Sequence, residues 1–135
     1  MIFVDTGALV GRYLPKDQHH ENAIVGWQQI LSDRIPYGTS NFVITETLTL
    51  IGRKASYRFA VETGRLIYSA STLKIWRPDL TDETQALSFF EKLADQKVSF
   101  TDCVSFSLMR RHRVTRVFGF DHHFEAAGFS IWPGK

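Results

Sequence analysis

Asp5, Glu46, Asp102 and Asp121 are the residues of this chain whose types and positions could do chemistry together. Asp5 directly follows the apolar run Ile2-Phe3-Val4, and Asp121 follows Val117-Phe118-Gly119-Phe120. Both runs read as buried strands. In a parallel sheet, ligands bind outside the carboxyl ends of the strands, so both acids fall on the binding edge. Aspartate is also common in turns after strands, which explains either residue taken alone. Glu46 shares a helical face with Phe42, Val43 and Leu50. An acid in an apolar stripe is costly to bury unless it is paired or holds a cation; an ion pair with Arg53 at i+7 is the other reading. Asp102 closes Ser99-Phe100-Thr101-Asp102, a capping-box pattern that would by itself account for the residue. The two roles are compatible, because the first turn of a helix can also face a strand end.

Taken together the four acids point to a cation. Two carboxylates ~5 Å apart repel by ~3 kcal/mol at an effective dielectric of ~20, and a fold that gathers several needs something to offset this. Oxygen-only ligands favour Mg²⁺ or Mn²⁺. Such ions activate water and stabilise the attacking and leaving oxygens of a phosphodiester displacement.

The elements that must position these acids alternate. Strands are expected at residues 2–4, 36–39, 72–76, 116–120 and 129–132. Helices are expected at 6–13, 20–33, 42–54, 56–70 and 99–112, with a further one capped by Thr81 and carrying Leu87, Phe90 and Leu93, and a helical turn at 122–127. This alternation predicts an α/β fold with a mostly parallel central sheet flanked by helices. No repeat, linker or low-complexity segment divides the chain, so residues 1–135 are expected to form a single domain.

Composition narrows the classes. Hydrophobic residues make up 44% and charged residues 22%, which suits one packed core and argues against disorder. A net charge of +2 permits a nucleic-acid partner without demanding one. Arg110, Arg111, His112, Arg113 and Arg116 cluster near an expected helix end, where they serve equally as a solvated C-terminus or as an RNA contact, Arg110 and Arg113 foremost. A single cysteine, Cys103, excludes an internal disulfide and fits a reducing cytoplasm. The start shows no secretory pattern, and no apolar run reaches the ~20 residues of a membrane helix.

The segments around the acids resemble those of the PIN domain, most closely the VapC-type toxins of toxin–antitoxin pairs. The resemblance is carried in order by Phe3-Val4-Asp5-Thr6-Gly7-Ala8, by Ser40-Asn41-Phe42-Val43-Ile44-Thr45-Glu46-Thr47-Leu48, by Ser99-Phe100-Thr101-Asp102-Cys103-Val104-Ser105-Phe106, and by Phe118-Gly119-Phe120-Asp121-His122-His123-Phe124. It spans essentially the whole chain, with no departure at an acidic position. It implies a single PIN-like domain with a five-stranded parallel sheet, and an endoribonuclease that uses Mg²⁺ or Mn²⁺. Asp5, Asp102 and Asp121 would hold the metal, Glu46 would complete the catalytic set, and Thr6 and Thr101 match polar positions nearby. It also implies RNA as substrate, a small antitoxin protein as partner and a homodimer. The helices between Phe42 and Ala70 offer Leu48, Ile51, Tyr57, Phe59, Leu66 and Tyr68 either to such a contact or to the core.

Other residues carry less. Adjacent histidines diverge on a helix, so His122-His123 reads as a surface or capping pair rather than a metal site, and His19-His20 as exposed. Ser105 and Ser107 lack a nucleophile elbow, and Gly7 and Gly11 match no phosphate loop. Asp79, Asp82 and Asp95 read as solvated. Two other function classes compete. One is a non-catalytic RNA-binding or scaffold domain of the same fold. The other is a receiver-like or phosphatase-like pocket, weakened because Asp5-Thr6-Gly7 lacks a second aspartate.

Overall fold

The computed structural model describes residues 1–134. Its chain runs β1 (Ile2–Val4), α1 (Thr6–Tyr13), α2 (His20–Asp33), β2 (Tyr37–Ser40), α3 (Asn41–Lys54), α4 (Tyr57–Ser69), β3 (Leu73–Trp76), α5 (Leu80–Lys92), a 3₁₀ turn (Ala94–Gln96), α6 (Phe100–Arg111), β4 (Arg116–Phe118), α7 (His123–Ala126) and β5 (Ser130–Trp132). The five strands form one sheet in the order β3-β2-β1-β4-β5, and every pairing is parallel. The α/β expectation and the five-stranded parallel sheet both hold.

This order makes the site. From β1 the chain builds outward through β2 and β3 on one side, and β4 and β5 add on the other. The reversal lies between β1 and β4, where loops on the two sides part and leave a crevice at the carboxyl edge. The central strand is wholly apolar and inaccessible: Ile2, Phe3 and Val4 are all fully buried. β2 is also buried although its sequence is Tyr-Gly-Thr-Ser. Its polar atoms are matched locally, since Thr39 Oγ1 donates to the Val4 carbonyl at 2.7 Å and the Tyr37 hydroxyl meets Thr72 Oγ1 at 2.6 Å.

Close approach at two glycines sets the crevice. A Cβ on Gly26 would stand 2.5 Å from the Phe118 ring, so only glycine lets α2 settle on β4. A Cβ on Gly119 would stand 3.0 Å from the Asp5 Cβ, so glycine lets the end of β4 close against the end of β1.

Most elements fall within a residue or two of expectation, with three corrections. β4 stops at Phe118, not Phe120. Beyond it the neighbours run out: β1 ends at Val4, with the Asp5 N–H taking the Phe118 carbonyl at 2.9 Å, and Pro133 after β5 has no N–H to offer. α5 is capped by Asp79, not Thr81, because Asp79 and Asp82 form a reciprocal capping box. Asp82 is not solvated either: it is buried and takes both Nε and Nη2 of Arg111 at 2.8 Å each. Asp79 and Asp95 are exposed as expected.

Candidate active site

Each acid reaches the carboxyl edge by a different local route. Asp5 is the residue after β1 and precedes α1, whose first turn closes through hydrogen bonds to the Asp5 carbonyl. Asp121 follows β4 after a short bend. Asp102 lies in the first turn of α6, whose cap is the Ser99 hydroxyl accepting from the Asp102 N–H at 3.0 Å. Because β4 is parallel to the other strands, α6 must carry the chain back before it, and so α6 begins at the carboxyl edge. Glu46 projects from the second turn of α3, which starts where β2 ends.

All four acids line one cleft of about 450 Å³, together with Thr6, Gly7, Asp17, His19, Lys54, Lys97, Ser99, Phe120 and His123. Thr101 is not among its lining residues. Asp5 is buried, Asp102 and Asp121 half-buried, and Glu46 stands at the open mouth. Among the described residues no lysine or arginine forms an ion pair with any of the four, and Glu46 does not pair with Arg53. Glu46 shares a face with apolar residues, and its exposure at the mouth lessens the penalty of burial.

The electrostatics record the crowding. Burial, then the Asp102 charge, pushes the Asp5 carboxyl up to about 8, against the pull of the Thr6 backbone N–H. Burial and the Asp121 charge raise Asp102 to about 6, offset in part by Ser99. Glu46 is raised as well, first by partial burial and also by the Asp121 charge. An uncompensated group of this kind would hold protons at neutral pH or take a cation.

Two buried polar atoms at the cleft also lack hydrogen-bond partners: Thr6 Oγ1 and His123 Nδ1. Asp102, Asp121 and His123 each present a ligand atom, and these atoms all lie within 4.8 Å of one another. Carboxylate oxygens, an unmet hydroxyl and a ring nitrogen are a donor set that fits a divalent ion.

The cleft also corrects the reading of the histidines. His123 lies inside it, with Nδ1 2.9 Å from Asp121 Oδ1 and 3.9 Å from Asp102 Oδ2. Its backbone N–H donates to Asp121 Oδ1 at 2.9 Å, so the capping role holds too. His122 is exposed. His19 is half-buried and stacks on Phe120 at 4.2 Å, and His20 Nδ1 meets the Gly11 carbonyl at 2.7 Å. Divergence along a helix argued against the adjacent pair, but it takes only one of them to face the acids. The spacing Asp121-x-His123 at a strand end was the signal available.

The serines and the cysteine farther along α6 offer no nucleophile to the cleft. Ser105 and Ser107 are fully buried, and Cys103 is buried with its thiol pushed up to about 11 by burial and the neighbouring Asp102. The arginine cluster lies elsewhere: Arg110 is eight residues along α6 from Asp102, about 12 Å by helical rise. There Arg111 is held by Asp82, and Arg110 lies over the Phe89 ring at 4.6 Å.

Comparison with known proteins identifies the family of this fold. The family model described as PIN domain matches residues 2–130. The 23S rRNA-specific endonuclease VapC20 of Mycobacterium tuberculosis, found in two strains, is 31% identical over 130 residues, 96% of this chain and 95% of that protein. The crystal structure of the same VapC20, described as a Sarcin-Ricin loop cleaving toxin, is similar with a TM-score of 0.85 at 29% identity, covering 96% of each chain. With a family match over residues 2–130 and a relative of this identity over nearly its full length, the chain belongs to the PIN-domain family.

Proposed function

We propose that this protein is a metal-dependent endoribonuclease, the toxin of a type II toxin–antitoxin pair, with ribosomal RNA as its substrate class. The observation that carries the reading is the cleft where Asp5, Glu46, Asp102 and Asp121 converge without a lysine or arginine partner, in a chain similar to a 23S rRNA-specific endonuclease. Asp5, Asp102 and Asp121 would hold Mg²⁺ or Mn²⁺, and Glu46 would complete the catalytic set from the mouth. When bound, the ion supplies Lewis-acid stabilisation of phosphoryl oxygens and lowers the pKa of water. The chain's own part is to fix the acids on rigid strand and helix ends, to exclude bulk water around Asp5, and to guide the phosphodiester.

Lys54 and Lys97 line the cleft and suit RNA phosphates better than Arg110 or Arg113 at the far end of α6. The His19–Phe120 stack at the rim offers a flat face to a base.

Partner surfaces lie apart from the cleft. Tyr57, Val61, Leu66 and Tyr68 are exposed on α4, and Leu48, Tyr57, Val61, Gly64 and Tyr68 line a groove of about 710 Å³ between α3 and α4. Of the residues offered for a dimer contact, Ile51 is spent in the core, Leu48 and Phe59 are half-buried, and Tyr57, Leu66 and Tyr68 are exposed. Trp27 on α2 is buried. A homodimer and a small antitoxin remain the partners this reading calls for, and a cytoplasmic setting follows from an rRNA substrate. No helix among the described residues is long and apolar enough to cross a membrane.

The test is incubation with intact ribosomes and with total RNA, with Mn²⁺, Mg²⁺ or EDTA, followed by mapping of the cut ends. Metal-dependent cuts leaving 5′-phosphates are expected, absent in Asp102→Asn. Full cleavage in EDTA would falsify the metal assignment. Metal-independent RNA binding that survives loss of the acids would favour a non-catalytic domain.

A further inference from the structure

An imidazole nitrogen 2.9 Å from a carboxylate oxygen normally hydrogen-bonds to it. His123 Nδ1 does not: it is shut off from solvent, stands at that distance from Asp121 Oδ1, and yet makes no hydrogen bond. Its ring direction misses the oxygen, so nitrogen and oxygen lie side by side. That leaves the ring nitrogen free to serve a third atom beside the carboxylate.

The spacings suit such an atom. Around an ion with ligands at ~2.1 Å, adjacent octahedral ligands are ~3.0 Å apart and opposite ones ~4.2 Å. The separations of His123 Nδ1 from Asp121 Oδ1 and Asp102 Oδ2, 2.9 and 3.9 Å, fall at and between these values. An independent observation points into the same cleft: the Thr6 hydroxyl, on a residue only 8% exposed, is also without a partner. The ring is held in place, since the His123 N–H is fixed to Asp121 and the His122 ring lies 4.5 Å away.

We infer that His123 is a direct metal ligand, giving the carboxylate cluster a nitrogen donor that shifts its preference from Mg²⁺ toward first-row transition ions. The inference rests on the reading of the cleft as a divalent-cation site and adds a ligand to it. Imidazole suits transition ions, whereas Mg²⁺ is satisfied by oxygen.

The experiment uses Mn²⁺ as probe, titrated into the EDTA-stripped full-length protein. Free Mn²⁺ is read by electron paramagnetic resonance, and the bound ion by electron spin-echo envelope modulation. The wild type is expected to show nitrogen-14 coupling from a directly bonded imidazole. The coupling should vanish in His123→Ala and His123→Asn and persist in His19→Ala and His122→Ala. Circular dichroism establishes that each variant is folded. Mn²⁺ affinity should fall on the order of tenfold or more in His123→Ala, with Mg²⁺ affinity by competition changing much less. His123→Asp should recover tight binding with the preference moved toward Mg²⁺. Mn²⁺ bound without nitrogen coupling, or coupling that survives in His123→Ala or disappears in His19→Ala, overturns the inference and leaves the carboxylate site standing. Failure of the wild type to bind Mn²⁺ at all overturns both.

Discussion

Two regions of this molecule gather carboxylates, and they treat them oppositely. At the start of α5, Asp79 and Asp82 cap the helix for each other, and Asp82 receives a bidentate Arg111. Every charge there has a donor aimed at it, and the Asp79 carboxyl is held below its usual range by the Asp82 backbone N–H. At the carboxyl edge of the sheet, Asp5, Glu46, Asp102 and Asp121 meet with few donors, and three of the four are raised. The first region is finished by the chain's own atoms. The second is left short of positive charge, so its acids hold protons or take a cation. Burial alone does not separate them, since Asp82 is at least as buried as Asp5. The count of compensating donors does.

The largest effect should come from the uncompensated side. Asp102→Asn is expected to lower RNA cleavage at least ~100-fold, because stabilisation of several kcal/mol from a bound ion is lost. Its metal-free melting temperature should equal or exceed that of the wild type, since a repelling charge is removed. Cleavage assays paired with calorimetry measure both; a variant that is both active and destabilised would put Asp102 in the structural class with Asp82.

Asp82→Ala should do the reverse. Breaking a buried pair and a cap together is expected to cost about 3 kcal/mol in urea unfolding, with the cleavage rate of the folded fraction little changed. A large loss of rate in fully folded protein would erase the distinction between the regions.

A smaller effect separates the basic groups. Lys54→Ala and Lys97→Ala should each weaken RNA binding severalfold and reduce the salt dependence by about one ion, whereas Arg113→Ala should leave both nearly unchanged. Filter binding across a salt series decides this, and equal losses from the two groups would extend the RNA path to the far end of α6.

The smallest concerns pH. The folded Asp5 carboxyl titrates near 8, among Asp102, Glu46 and Asp121, and far below that when unfolded. Between those values the folded chain binds the proton more tightly, so metal-free stability falls as pH rises toward and through 8. The stripped protein should melt several degrees higher near about pH 5.5 than near about pH 8.5, and Asp5→Asn should flatten the slope. A melting temperature that rises with pH in the stripped wild type would mean that the acids are already compensated.

The sequence by itself determined the alternation of strands and helices, because hydrophobic period and caps are local properties. It also singled out the four acids that the fold gathers in one cleft, although a turn, a helix cap or an ion pair accounts for each alone and the family resemblance is what joins them. It misplaced what depends on partners distant in the chain. Asp82 looked solvated because its own segment is polar, and only the packing of α5 on α6 brings Arg111, 29 positions away, onto it. β4 looked longer because Gly119-Phe120 continue its apolar run, but a strand lasts only as long as its neighbours supply hydrogen bonds. His123 looked like surface because helix geometry parts it from His122, and nothing local says which of the two will face Asp102. That choice was left to tertiary structure, for a physical reason. Periodicity fixes which face of an element is apolar, whereas the convergence of polar groups depends on the strand order and on close approach at Gly26 and Gly119.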